Sequence, residues 1–208
     1  MKLLTGARCD GALLALCAAL CLTPAHAQTD AGLDIDRLDI EVQIDIVDDL
    51  VRIDASFHVE ATPQQTWEVM SDYKHAAAFV SDLDESRVLA RSADTMRVYQ
   101  KGSAKFGPFS FPVESVRDIR MVPYRSMHSH LVSGSMKRLD VTTRLAAEGT
   151  GTRVNNLTES IPDVWIPPII GRLFIEHETR DKFRELREEI LRRKRAAESG
   201  VSPGGLPR

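Results

Sequence analysis

The sequence predicts an α+β domain in which a strongly curved antiparallel sheet of about seven strands wraps around one long C-terminal helix. From residue 42 onwards, short segments of alternating apolar and polar residues are joined by short connections, which favours antiparallel pairing of neighbouring strands. From Pro168 the apolar spacing becomes helical. One helix cannot cover a flat sheet of this size. The sheet must therefore curve, which leaves a cavity unless large side chains fill it.

Two alternating segments open the predicted domain. Val42, Ile44 and Ile46 alternate with polar residues, and the same period runs from residue 51 to residue 59. The intervening "DDL" could turn the chain, so the two segments form either a hairpin or one long bent strand.

Two short helices are predicted to follow the opening strand. Thr62 suits the N-cap, Pro63 suits the first helical turn, and Trp67 and Met70 have helical spacing. The segment "KHAAAFV" predicts the second short helix. The large aromatic Trp67 is interpreted as a core residue.

The remaining strands and the last helix follow in order. The predicted strands are "SRVLARSA", "TMRVYQKGSAKF", "FSFPVESVRDIRMV", "RSMHSHLVSG", "LDVTTRLAAE" and "TRVNNLTESI". In the final helix, Leu173, Phe183, Leu186 and Ile190 are predicted to share one apolar stripe, with charged residues on the other faces.

The first 27 residues are predicted to be a cleaved signal peptide. A basic start precedes the apolar run "GALLALCAALCL", and "AHAQ" supplies the small residues of a cleavage site after Ala27. The predicted organisation is a signal peptide over residues 1–27, a flexible leader over 28–39, one domain over 40–195 and a disordered tail over 196–208. The expected location is the periplasm.

Composition excludes several classes of site. The three cysteines, Cys9, Cys17 and Cys21, all lie in the predicted signal peptide, so the mature chain would have neither a disulfide nor a thiolate metal site. The formal net charge of −3 gives no basic surface for nucleic acid. No serine–histidine–aspartate order or glycine-rich phosphate loop is present, so the sequence predicts no catalytic residue and no cofactor.

Three segments together resemble the START-like, or SRPBCC, superfamily. They are "VEATPQQTWEVMSDYKHAAAFVSDLDESRVL", "GTRVNNLTESIPDVWIPP" and "LREEILRR". The chain is most similar to exported bacterial members near the polyketide cyclase/dehydrase and coenzyme Q-binding branches. The resemblance covers about residues 51–195 and implies the helix-grip fold, with a hydrophobic cavity for a lipid-like or polycyclic ligand. The final helix and nearby loops would form the lid of that cavity.

Aromatic and aliphatic residues are the first candidate ligand contacts. Phe106, Phe109 and Phe111 flank a Gly-Pro turn, where they could line a cavity, form a rim that touches a membrane surface, or fill the core. The proline-stiffened segment before the last helix would lie at the cavity mouth in a helix-grip fold. Its candidate gate residues are Trp165, Ile166, Ile169 and Ile170, followed by Leu173.

Polar candidates lie in phase with apolar residues. Gln100 and Asn156 fall on inward positions of their strands, where they could hold a ligand head group, unless a bulge shifts them outward. On the last helix, His177 and Arg180 lie near the apolar stripe. Arg180 could bind an anionic or ketone group, or pair with Glu176 on the surface.

A metal site is not expected. His128 and His130 have the spacing at which two imidazoles can share a metal, but their phase predicts that they face solvent.

We therefore expect binding or shuttling of a hydrophobic small molecule such as a lipid, isoprenoid, quinone or polycyclic compound. Transient contact with a membrane surface is a further expectation. One alternative is a cyclase or dehydrase that acts on a polyketide-type or lipid substrate, which would need a perturbed acid or base in the cavity. The other is a protein-interaction module whose cavity is filled.

Overall fold

Eight antiparallel strands and one long helix account for most of the described chain. The computed structural model describes residues 40–106, 109–163 and 168–200, with the side chains of residues 104–106, 109 and 168–170 outside the description. The predicted signal peptide and leader, and the end of the predicted tail, also lie outside it. The strands are β1 (Ile40–Val47), β2 (Leu50–Val59), β3 (Leu83–Arg91), β4 (Thr95–Phe106), β5 (Phe109–Val122), β6 (Ser126–Gly134), β7 (Met136–Glu148) and β8 (Gly151–Pro162). The helices are α1 (Pro63–Met70), a 3₁₀ helix (Tyr73–Ala78) and α2 (Pro168–Glu198).

The strands form one sheet in the order β1-β2-β8-β7-β6-β5-β4-β3, and every neighbouring pair is antiparallel. The predicted α+β class with a helix-grip arrangement is confirmed. The sheet has one strand more than expected, because β1 and β2 form a hairpin in which Val47 pairs with Leu50. Asp48 turns this hairpin in the left-handed conformation (φ 56°), which aspartate tolerates better than most residues. The short helices consequently follow β2.

A capping box starts α1 at the predicted position. The Thr62 hydroxyl accepts a hydrogen bond from the Gln65 amide (3.2 Å), and the Gln65 side chain accepts one from the Thr62 amide (3.0 Å). Pro63 occupies the first turn, where a backbone N–H would have no acceptor within the helix, so the missing amide hydrogen costs no hydrogen bond. This local pattern fixes the helix start, so that Trp67 and Met70 can pack against the sheet.

The main core joins α2 to the first strands. The rings of Phe57 on β2 and Phe183 on α2 lie 5.3 Å apart, and Val59, Val154 and Ile190 are fully buried around them. Rings at this distance, tilted by 39°, have a favourable aromatic geometry. The sheet thus grips α2 through the residues that carry its apolar stripe. Leu173, the first member of the predicted stripe, is 62% exposed, because it lies about 15 Å along the helix axis from Phe183.

Polar contacts hold α2 on both sides. Arg180 donates to the carbonyl of Ile40, and the Lys194 ammonium donates to the carbonyl of Glu60 (2.6 Å). On the opposite side, Arg193 pairs with Asp72 (2.9 Å). The closest backbone approaches of α2 are to β1, β2 and α1. Within the described ranges, no helix combines the length and the apolar character needed to span a membrane.

Candidate functional site

The concave face of the sheet changes from apolar to polar along β4, β5 and β6. One end is a buried cluster that packs against Trp67 and Met70, and it consists of Met96, Val98, Ile119, Met121 and Met127. The next residues that face inward on these strands are Gln100, Arg117 and Ser129, because side chains alternate along a strand. The structure therefore brings three polar side chains together directly beyond a well-packed core.

Arg117 is the centre of this polar group. Its guanidinium donates to the side-chain oxygen of Gln100 and, at 3.4 Å, to the hydroxyl of Ser129. Gln100 in turn donates to the hydroxyl of Ser86 on β3 (3.2 Å). Among the described residues, the Nε–H of Arg117 has no hydrogen-bond partner and the guanidinium has no carboxylate.

Three titratable side chains from different elements are desolvated in and beside this polar group. Lys182 of α2 keeps much of its surface accessible, yet burial lowers the pKa of its ammonium group. Arg117 and Tyr73 are half-buried, while burial lowers the pKa of Arg117 and raises that of the Tyr73 phenol. Accessible surface and a shifted pKa occur together where water can reach a side chain that is otherwise surrounded by protein. The surrounding protein determines how well a charge is solvated, and it therefore accounts for these pKa shifts.

Carboxyl groups lie close to Lys182 in the same region. Glu178 shares a hydrogen bond with Asp82, and burial together with this contact raises the pKa of Glu178 to about 7. Asp82, Glu178 and Glu185 oppose the fall in the pKa of Lys182, whereas the charge of Arg117 adds to it. Lys182 therefore has both acidic neighbours and the cation Arg117 nearby.

A second polar group lies on the inward face of β7 and β8. The Asn156 amide donates to the Thr143 hydroxyl (2.9 Å), and the Thr158 hydroxyl donates to the Asn156 carbonyl oxygen (3.0 Å). Gln100 and Asn156 thus both occupy the predicted inward phase. Their contact with a ligand stays a prediction.

The apolar candidates are only partly described. Phe111 lies in the inward phase of β5 with Val113 and Arg117, and it is 47% exposed. Phe106 and Phe109 pair through their backbones at the end of the β4–β5 hairpin, but their side chains lie outside the description. Trp165 and Ile166 lie outside the described residues, as do the side chains of Ile169 and Ile170.

The candidates on the last helix have protein partners or face outward. Arg180 donates hydrogen bonds to the Glu176 carboxylate (3.0 and 3.1 Å) and to the Ile40 carbonyl. The contact with Glu176 is the pair that was the alternative to ligand binding. His177 is exposed and pairs with Asp181 (3.2 Å). With the exposed Leu173, these residues are not part of the group around Arg117.

The two strand histidines are on the outer face. His128 lies 3.0 Å from the Thr142 hydroxyl and His130 lies 2.6 Å from Asp140. Within the described part of the chain, no three histidine, cysteine, aspartate or glutamate side chains are grouped to hold a metal ion.

Arg117, Lys182 and Asp82 are the most informative residues of the site, and none of them is among the candidates predicted from the sequence. Arg117 alternates with Ile119 and Met121, so its inward phase was readable from the sequence. Lys182 lies next to Phe183 and one turn before Leu186, at the edge of the apolar stripe. No local signal could place Asp82 beside Glu178, because about a hundred residues separate them.

Two open grooves lie elsewhere on the described surface. One, of about 310 Å³, is beside edge strand β1 and is lined by Glu41, Val42, Gln43, Asp54 and Ser56. The other, of about 420 Å³, runs along α2 and is lined by Phe79, Glu185, Glu188, Glu189, Arg192 and Arg195. Neither includes the Arg117 group. We place the site at that group because buried charge, rather than groove size, requires a compensating partner.

Comparisons with known proteins agree with this architecture. The family described as polyketide cyclase/dehydrase and lipid transport matches residues 59–186. A STAR-related lipid transfer protein from Xanthomonas axonopodis has 15% identity and a TM-score of 0.61, with 73% of this chain and 93% of that chain covered. The Zhui aromatase/cyclase from Streptomyces has 14% identity and a TM-score of 0.61, covering 76% and 99%. Human STARD10 has 12% identity and a TM-score of 0.59, covering 79% of each chain. A search of curated proteins found no match.

Proposed function

Because the chain belongs to the polyketide cyclase/dehydrase and lipid transport family, we propose that it binds or shuttles a hydrophobic small molecule between the sheet and α2. The carrying observation is the polar group of Gln100, Arg117 and Ser129, which the sheet presents inward directly beyond its buried apolar cluster. Arg117 and Tyr73 keep part of their surface accessible, which supports an open cavity and weighs against a filled core.

Binding would be driven mainly by the apolar part of the ligand. Each Å² of apolar surface removed from water contributes about 25 cal/mol before the entropic cost of association. Half-buried Val113 and Leu131 on the inward face, with Phe111 beyond them, provide apolar surface. The polar group at Arg117 would then set the orientation of the ligand.

The test is extraction of the purified protein with organic solvent, followed by mass spectrometry, together with titration by the neutral apolar dye Nile red. We expect a hydrophobic compound to copurify, or the dye to bind the delipidated protein in a saturable way. Absence of both would end the proposal. A control titration with unfolded protein separates binding in the fold from adsorption to exposed apolar surface.

We further propose that the protein acts in the periplasm after removal of residues 1–27. The order of basic start, apolar run and cleavage site in the sequence supports this location. N-terminal sequencing of the protein from a periplasmic extract should begin at Gln28. Recovery of the uncleaved chain from the cytoplasm would contradict the proposal. Transient contact with a membrane surface is testable by cosedimentation with vesicles.

A second candidate function is acid–base catalysis on a polyketide-type substrate. The raised pKa of Glu178, near Asp82 and Lys182, supports it, because a carboxyl group that titrates near neutral pH can exchange protons with a substrate. The test follows cyclisation of a model poly-β-ketone by absorbance. Product formation should fall in Glu178→Gln while Nile red binding persists. Equal rates with protein and with buffer alone would leave binding as the function.

A further inference from the structure

Arg117 is a half-buried cation whose Nε atom is fully buried and which has no anionic partner among the described residues. Its contacts, the Gln100 amide oxygen and the Ser129 hydroxyl, are both neutral. Among the described residues its Nε–H has no acceptor, and each terminal nitrogen keeps a second hydrogen. Removal of a guanidinium from water without a counterion is unfavourable, so a fold that retains one leaves a requirement for negative charge.

The carboxylates of the site do not meet this requirement. Asp82, Glu178 and Glu185 act on Lys182, and none of them contributes to the pKa of Arg117. Asp82 and Glu178 share a hydrogen bond, and Glu185 accepts from the Ser81 amide (3.1 Å). These carboxyl groups are therefore engaged with other partners, and among the described residues Arg117 is left without a compensating charge.

We propose that the ligand is a hydrophobic monoanion whose carboxylate binds Arg117 and whose apolar part lies along β5 towards Phe111. This inference rests on the proposed binding function. A carboxylate is the group that a guanidinium recognises with two parallel hydrogen bonds, and the unpaired Nε–H lies on the edge that offers such a pair.

The strand geometry provides a path for the apolar part. From Arg117 the inward residues of β5 are Ser115, Val113 and Phe111, and Leu131 of β6 pairs with Arg117 in the sheet. Six residues of an extended strand span roughly 20 Å, so an alkyl chain or a polycyclic body can follow this face. The exposure of Phe111 on this face leaves apolar surface for the ligand to cover.

The experiment compares three probes that share one tail: dodecanoate, dodecanol and dodecylammonium. Each displaces Nile red from the delipidated wild-type protein. We expect dodecanoate to bind roughly ten- to hundred-fold more tightly than dodecanol, because hydrogen bonds to a charged group contribute about 1.5–3 kcal/mol. Dodecylammonium should bind most weakly. Equal affinities of dodecanoate and dodecanol would overturn the inference, even without any variant.

Variants assign the preference to Arg117. Arg117→Met should remove most of the preference for dodecanoate and leave dodecanol affinity unchanged or higher, since an apolar side chain of similar length replaces a buried charge. Arg117→Lys should keep part of the preference. The matched control is Arg97→Met on β4, whose guanidinium bonds Asp118 on the outer face (2.7 Å). A preference that survives Arg117→Met would also overturn the assignment.

The outcomes separate the inference from the function on which it rests. If neither Nile red nor any of the three probes binds, the proposed binding function fails. If dodecanol and Nile red bind well and dodecanoate has no advantage, binding stands and the anionic preference alone fails.

Discussion

Glu178 of α2 shares a hydrogen bond with Asp82, the residue immediately before β3, so two carboxyl groups from distant parts of the chain meet beside Lys182. Two carboxyl groups that share a hydrogen bond cannot both ionise without cost. Burial and the neighbouring Asp82 consequently raise the pKa of Glu178 to about 7, above its ordinary value of 4.5. This contact also ties α2 to the end of the sheet that carries Arg117.

The raised pKa predicts that ionisation of Glu178 lowers stability as the pH rises. Below about pH 4.5 the carboxyl is protonated in both the folded and the unfolded chain, and the stabilising contribution is complete. Between pH 4.5 and about 7 the unfolded chain loses this proton more readily, so the contribution is lost. Glu178→Gln cannot ionise. Its melting temperature should therefore fall less than that of the wild-type protein between pH 5 and pH 8.

The control is Glu188→Gln, which changes an exposed carboxylate on the same helix. It should shift the melting temperature by a similar small amount at both pH values. Parallel curves for wild type and Glu178→Gln would contradict the assignment.

Gly102 is predicted to be intolerant of any side chain. A Cβ atom there would lie 1.9 Å from the carbonyl oxygen of Asp82, which accepts a hydrogen bond from the Ser103 amide (3.0 Å). Gly102→Ala must displace this backbone, so we expect a loss of about 2–3 kcal/mol in the free energy of unfolding, measured with urea. The dependence of stability on Glu178 should weaken as well, because Asp82 moves.

Gly149 provides the comparison for that variant. It has a positive φ of 58° and open space around it, so Gly149→Ala should cost only the conformational strain, about 1 kcal/mol. Equal losses for the two variants would show that the contact with Asp82 is not the cause.

Phe183→Ala should detach α2 from the sheet. The ring is buried against Phe57, and its removal leaves a cavity that typically costs about 3–5 kcal/mol. Denaturant unfolding measures this loss. Leu173→Ala on the exposed part of the same helix should change stability by less than about 0.5 kcal/mol. A comparable loss at both positions would contradict the packing described for α2.

Trp165→Ala tests the proposed gate before α2. The prolines around this residue predict a stiff apolar segment, and the helix-grip resemblance implies that this segment lies at the cavity mouth. We expect slower or weaker uptake of Nile red with little change in melting temperature. A large fall in melting temperature with unchanged binding would make Trp165 a core residue.

Local patterns predicted much of the fold. The alternation along β2 gave its inward face, and the capping residues at Thr62 gave the start of α1, because both depend on neighbours in sequence. The sequence does not distinguish a hairpin at Asp48 from one long bent strand, because both share the same alternation of apolar and polar residues.

The candidate site was less predictable. Alternation with Ile119 and Met121 gives the inward phase of Arg117, but its charge favours a solvent-facing assignment, and its contacts with Gln100 and Ser129 come from the structure. The meeting of Asp82 with Glu178 depends on where α2 crosses the end of the sheet, which periodicity does not determine. Gln100 was selected from its phase alone, and its partner Arg117 was not foreseen.

The position of β2 between β1 and β8 has a consequence for the order in which the chain can fold. Val51 pairs with Ser160, so the opening hairpin stays outside the sheet until the last strand has been synthesised. The later strands can form sequential hairpins early. The pairing of β2 with β8 closes a loop of about a hundred residues, and it is slow because the entropy lost on loop closure must be overcome before the contacts form. A nascent or translocating chain would therefore remain open at its N-terminal end longest, and refolding should show its slowest phase in the burial of Phe57.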